Sequence, residues 1–354
     1  MRLFVVVSQI FPSVLKAALT ILLIESGMGI WGLIWGALLS SLAITLVGSA
    51  YIAIRLMRIP TFKKQQTVPF QTWLNYAKIR YSTSLTATLY TPLDRMLLNS
   101  FHGADTVGVF SVLKSLNEYP LFIQKAFLTM ISPTFSAAWA HKDVEKIREV
   151  FLTLNSWTVR FSIPGIVILF LFTPEILSFF GAEFATSEAI WALRILLIGT
   201  MINLGCGPVG MVLNMCGSER IFARGQIISM LVGALLFFPF IKWGGILGVA
   251  SLLAIQISAI NLFSLYLVKQ RFDLCWRILH FKRLMGSQTA ILILGFLYSH
   301  LRAPLGAVEF ILVCIGMYGA VHLLFWWQGV PQEDRDLVDF FRAKLSSKRG
   351  CEAE

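Results

Sequence analysis

Charge is scarce in this chain: Asp, Glu, Lys and Arg make up 14% of its 354 residues, against 56% hydrophobic ones. A soluble body of that size needs far more polar surface, so a water-soluble globular protein is excluded. Acidic side chains are the scarcer sign, 19 against 30 Lys and Arg, which leaves a net charge of +11. That excess invites a nucleic-acid reading, but the basic residues fall on alternate loops and their positions already account for it. Cysteine is sparse too. Cys206, Cys216, Cys275, Cys314 and Cys351 include no CxxC pair and have no His at ligand spacing. Small buried side chains and a free tail thiol are expected there, not a metal site. His102, His141, His280, His300 and His322 are spread along the chain. No Ser-His-Asp grouping, HExxH, DxD or Walker A sequence occurs, so neither an enzyme nor a cofactor is expected. Transport, if that is the task, would run on an ion gradient, on substrate supply or on another subunit.

What is abundant is long apolar sequence, and the mean hydropathy is +0.73. The clearest runs are Phe4–Ile24, Trp31–Ile54, Leu154–Phe172, Ile190–Leu213, Ile227–Ile241, Ile246–Val268, Gln288–His300 and Val308–Trp327. A crossing takes about 20 mostly apolar residues, and most of these qualify. Two further spans, Ser82–Ser100 and Val107–Pro133, carry polar and charged residues. The expected fold is all-α: a polytopic membrane bundle of about ten transmembrane helices. Basic residues cluster at 55–80, 142–148, 220–224, 269–283 and 335–349, whereas the intervening loops hold only Lys242 and Arg302. The positive-inside rule then places both termini in the cytosol, after an even number of crossings. Met1-Arg2 followed by an apolar run looks like a signal peptide, but without a small-residue cleavage site it reads as a first helix. Trp31, Trp35, Trp243, Trp326 and Trp327 fall near span ends and read as interfacial anchors.

The expected organisation has helices of a first lobe at 1–56 and a basic cytosolic linker at 57–80 containing Pro60 and Pro69. The core of a second lobe follows at 81–271, then a connector and two helices at 272–330, and a cytosolic tail at 331–354. Trp139–Val150 is expected to lie along the membrane surface, while the basic, aromatic Phe272–Leu284 reads either as an interfacial amphipathic segment or as a plain positive-inside connector.

Charges inside spans are the informative residues, because each costs a few kcal/mol unless it faces protein or water. They are Lys16, Asp94, Arg95, Lys114, Glu118, Lys125 and Arg194. Ser84, Thr88, Thr91, Arg95 and Asn99 recur at three- or four-residue steps and share one helix face. Ser111, Lys114, Glu118, Lys125, Thr129 and Ser132 form a second stripe, on which Lys114 and Glu118 are spaced to pair. Two facing polar stripes describe the wall of a wet cavity. Its cationic balance suits a phosphate or diphosphate, with Arg95, Lys114, Lys125 and Lys16 as the binding residues. Ser84, Thr88, Asn99 and Asn117 would line it, and Asp94 and Glu118 are candidates for ion coupling. The blander reading makes Asp94–Arg95 a structural pair and lets Lys125 snorkel.

Several segments resemble the polysaccharide flippase family. Tyr90-Thr91-Pro92-Leu93-Asp94-Arg95-Met96-Leu97-Leu98, followed by Gly103-Ala104-Asp105-Thr106-Val107-Gly108-Val109-Phe110, is similar to its middle helix pair. Ile131-Ser132-Pro133-Thr134-Phe135-Ser136, Glu175-Ile176-Leu177-Ser178-Phe179-Phe180-Gly181 and Leu213-Asn214-Met215-Cys216-Gly217 resemble later elements in the family's order. The resemblance implies the superfamily that also holds multidrug antiporters and the lipid II flippase, with two helical lobes around a central cavity. It further implies flipping of an undecaprenyl-diphosphate-linked, anionic oligosaccharide across the bacterial inner membrane for O-antigen, capsule or exopolysaccharide synthesis. Membrane lipids and polysaccharide assembly proteins would be the partners. Such proteins have twelve to fourteen helices, so this chain is expected to be an N-terminally incomplete two-lobe transporter. An ion-coupled small-molecule antiporter, a membrane polysaccharide polymerase and a purely structural subunit are the competing readings.

Overall fold

The computed structural model describes residues 11–57, 70–273, 282–289, 295, 307–329 and 335, and the regular elements among them are all helical. They fall into two compact units, Met1–Trp73 and Leu74–Glu354. In the first, α1 (Phe11–Leu23) runs into a π-helical turn at Ile24–Met28 and α2 (Ile30–Met57) returns beside it. Membrane helices approach through small residues, because lipid supplies no hydrophobic drive between them. Gly36 does this here: a Cβ there would lie 2.6 Å from Thr20 Oγ1.

The second unit begins within α3 (Phe70–Tyr90) and continues through α4 (Leu93–His102), α5 (Ala104–Ala140) and α6 (Val144–Leu171). The short α7 (Thr173–Ser178) leads to α8 (Ser187–Cys206), α9 (Val209–Met215) and α10 (Glu219–Phe272). After the segment 282–289 comes α11 (Ala307–Trp327). The pairs α4–α5, α5–α6 and α6–α8 run antiparallel. Asp94 of α4 meets Lys114 of α5, Ser162 Oγ of α6 donates to the Pro120 carbonyl of α5 at 3.0 Å, and Arg194 Nε of α8 donates to the Phe170 carbonyl of α6 at 3.2 Å. Tyr318 of α11 donates to the Phe161 carbonyl at 2.9 Å, which ties the last helix to α6.

The central helix is α8, whose Leu193, Leu197 and Leu204 are fully buried. Its core neighbours form one cluster around Leu98, Phe110, Leu113, Phe237 and Val249. A second cluster, around Phe135, Phe151, Leu213, Phe222 and Val268, packs the other end. Cys206 and Cys216 belong to it as small apolar side chains.

Two expectations are corrected. The span Ser82–Ser100 is two helices, broken at Thr91–Pro92 because proline has no N–H to continue the ladder. Trp139–Val150 is not a surface element of its own: Trp139 ends α5, and 144–150 are the first turns of α6. Asp143 caps that helix by accepting from the Lys146 N–H at 2.9 Å, and Ile147 and Phe151 are fully buried. The run Ile190–Leu213 divides at Gly207 (φ 76°) and Pro208 into α8 and α9. The two runs Ile227–Ile241 and Ile246–Val268 form the arms of one hairpin within α10, reversed at Gly245, whose φ of 51° and ψ of −132° lie outside helical space. Gly225 opposite Phe263 and Gly233 opposite Gln256 confirm the antiparallel register of the arms. The expected connector Phe272–Leu284, the span Gln288–His300 and the tail 331–354 lie largely outside the described residues.

Among the described residues five helices are long and apolar enough to cross a membrane: α2, α6, α8, α10 and α11. At 1.5 Å per residue each arm of α10 spans about 40 Å, so that helix supplies two crossings. The chain is a multi-pass membrane protein.

Candidate functional site

A cavity of ≈ 340 Å³ opens inside the second unit. Tyr90, the last residue of α3, lines it with Lys114, Asn117 and Glu118 of α5, Thr200 of α8, and Gln226, Ser229 and Gln256 from the two arms of α10. Gly199 makes the assembly possible, since a Cβ there would sit 2.8 Å from the Ala254 Cα and push the second arm off α8.

The anchor of the wall is an ion pair. Asp94 is 2% exposed, and its Oδ2 accepts from Lys114 Nζ while its Oδ1 accepts from the Arg95 backbone N–H at 2.7 Å. The α4 helix starts at Leu93, directly after the Pro92 break, with buried Asp94 in its first turn. Lys114 retains 22% exposure, all that a cavity-facing ammonium needs to offer its remaining donors. Beside it the polar groups are held by each other. Tyr90 OH donates to Gln256 Oε1, whose amide Nε2 donates to the Ser229 carbonyl at 2.9 Å. Thr200 Oγ1 donates to Asn117 Oδ1 at 2.8 Å, which leaves the Asn117 Nδ2 donors toward the cavity.

Of the predicted cations, Lys114 is the one that lines this cavity. Its partner is Asp94, which corrects the expected Lys114–Glu118 pairing. Helix spacing permits the latter, but a desolvated carboxylate on the facing helix attracts an ammonium far more strongly than an exposed one. Glu118 instead sits at the rim, 59% exposed and 4.0 Å from Lys125, itself 64% exposed. Arg95 and Asn99 are exposed on α4, as are Ser84 and Thr88 on α3, where Thr88 Oγ1 donates to the Ser84 carbonyl at 2.9 Å. Lys16 is exposed on α1, in the other unit. Asn117 is in place. Among the described residues this cavity thus holds one ammonium, backed by Asp94 with Glu118 at the rim, among amides, hydroxyls and apolar side chains such as Leu121, Leu196 and Ile257.

Tyr90, Thr200, Gln226, Ser229 and Gln256 were not anticipated, because attention to charge passes over neutral polar residues in apolar runs. Gln256, between Ile255 and Ile257, was the available signal: a membrane-buried amide needs a partner. Arg160 was missed as well. It is 6% exposed on α6, with its guanidinium 4.9 Å from the Phe161 ring and 5.0 Å from that of Phe325, a packing role. Arg194 is likewise held by the Phe170 carbonyl and the Trp191 ring.

Residues 4–188 match the family model described as polysaccharide biosynthesis protein. A relative from Haloferax volcanii, named "Probable flippase AglR", is 23% identical over 251 residues, covering 70% of this chain and 51% of its own. The chain thus spans about half the length of that relative. In fold it is similar to the lipid II flippase MurJ in an inward closed conformation, at a TM-score of 0.60 and 17% identity over 92% of this chain and 67% of that one. A superfamily transporter from Pyrococcus furiosus described as having a binding pocket of reverse polarity gives 0.57 and 16%, over 74% and 62%. A multidrug extrusion transporter in the straight conformation gives 0.59 and 16%, over 74% and 62%.

Proposed function

The chain belongs to the polysaccharide biosynthesis protein family, and on that premise we propose that it moves a lipid-linked oligosaccharide from one membrane leaflet to the other. It is a transporter-type protein, not an enzyme. The observation that carries the proposal is the cavity wall: one partly shielded ammonium with amides and hydroxyls set among apolar side chains. Amide and hydroxyl groups bond sugar hydroxyls in both directions, as donor and as acceptor. Lys114 supplies a point charge for the phosphate of the lipid headgroup. Because Asp94 already neutralises it, phosphate must compete for an ammonium that is engaged, which makes binding reversible and release possible. The break at Thr91-Pro92 directly follows Tyr90 of this wall, and such breaks are places where membrane transporters bend.

The finer assignment follows the same reading. The substrate is an undecaprenyl-diphosphate-linked repeat unit, the membrane is the bacterial inner membrane with both termini cytosolic, and the product feeds surface polysaccharide. Buried Asp94 is the feature an ion-coupled antiporter would use, but its charge is committed to Lys114.

The test uses cells whose single gene copy carries Lys114→Met together with Asp94→Asn, a neutral pair, or Gln226→Leu on the wall. Lipid-linked oligosaccharide should accumulate and surface polysaccharide should fall, with the protein still in the membrane. Normal surface polysaccharide in both strains at unchanged protein level would refute the assignment.

A further inference from the structure

An apolar groove of ≈ 440 Å³ runs between the two arms of α10. Ile228, Val232 and Leu236 line it from the first arm, and Leu252, Ile255 and Phe263 from the second. Its width comes from small side chains: Gly225 faces Phe263, where a Cβ would stand 3.0 Å from the ring, and Ala259 leaves the opposite rim low. Ile228 and Ile255 are well exposed, so the groove opens sideways from a membrane-spanning hairpin, where the surrounding medium is hydrocarbon.

The groove is not isolated. Ser229, Gln256 and Ile260 line both it and the polar cavity, so a single layer of side chains separates the two. Gln256 is the partition, turned toward Tyr90 and the Ser229 carbonyl. Gly233 gives that partition room, because a Cβ there would lie 2.9 Å from Gln256 Nε2. The groove is almost wholly apolar and offers a polar ligand nothing, whereas the cavity adds Lys114, Asn117 and Thr200 to apolar side chains such as Leu121, Leu196 and Ile257. A molecule with a polar head and one long chain fits both. Each space falls within the ~300–1,000 Å³ usual for specific small-molecule sites.

The geometry points to the α10 groove as the seat of the hydrocarbon chain of the transported lipid, with its headgroup across Gln256 in the cavity. This rests on the translocation reading and adds the site of the tail. The chain is held on the flank of the hairpin while the head crosses.

The experiment is photolabelling of the full chain in phosphatidylcholine vesicles, with a polyprenyl phosphate carrying a diazirine on its chain. Labelled peptides should map to 225–236 and 252–263, and excess unlabelled polyprenyl phosphate should abolish the labelling. Ala259→Phe, at an exposed position where the larger side chain fills the groove, should also abolish it while leaving the protein folded. A diazirine phospholipid should not label these segments saturably. Labelling spread over the other helices, resistant to competition, or matched by the phospholipid would overturn the proposal and mark the groove as ordinary annular surface. Failure of the cellular translocation test does not affect these readouts. Saturable groove labelling in a chain that does not flip would keep the site and remove the transport role.

Discussion

Lys114→Met strips the counter-ion from Asp94, a carboxylate 2% exposed whose one remaining donor is the Arg95 N–H. Removing one partner of a buried pair costs about 3–5 kcal/mol, because the other charge stays desolvated. The reverse change, Asp94→Asn, should cost less: Lys114 is 22% exposed and can turn its ammonium into the cavity. The double variant leaves no buried charge and should recover most of the loss. At roughly 2–4 °C per kcal/mol for a domain of this size, Lys114→Met should lower the unfolding temperature by roughly 10 °C. Unfolding in detergent micelles, followed by tryptophan fluorescence, orders the three variants. If Lys114→Met is no worse than Asp94→Asn, or if the double variant is as unstable as Lys114→Met, the pair does not anchor the cavity wall as argued.

Two further predictions test the packing and the discarded cations. Gly199→Leu should destabilise the second unit by about 1–3 kcal/mol or more through overpacking against Ala254, whereas Gly48→Ala, inside α2 where a Cβ meets nothing within 4 Å, should be neutral or stabilising by up to about 1 kcal/mol. Thermal unfolding of the pair of variants checks this, and equal effects would contradict the close approach of α8 and α10. Lys125→Gln should leave both stability and surface polysaccharide near wild type, because its 4.0 Å pair with Glu118 is exposed at both ends. Loss of polysaccharide in that strain would return Lys125 to the site.

Hydropathy and charge alternation were enough to read a helical membrane protein, and most spans sit where the apolar runs do. That follows from the bilayer: a crossing segment must satisfy its own backbone and face hydrocarbon, and both demands are written locally in the residues. Lys114 and Asn117 had both been named from the sequence, and both line the cavity. The breaks at Pro92, Gly207 and Gly245 were visible as residues, but their consequences for where side chains point were not.

The pairing of charges was decided only when the helices came together. Spacing along α5 offers Lys114 to Glu118, while the tertiary arrangement delivers it to Asp94, because a carboxylate removed from water by the neighbouring helix outbids one left in it. The same holds for the neutral wall. Tyr90, Gln256 and Ser229 are 166 and 27 residues apart along the chain, in the order Tyr90 to Gln256 and Gln256 to Ser229, and no local pattern joins them. Sequence fixes which segments dissolve in the bilayer; only their packing determines which polar groups find each other there.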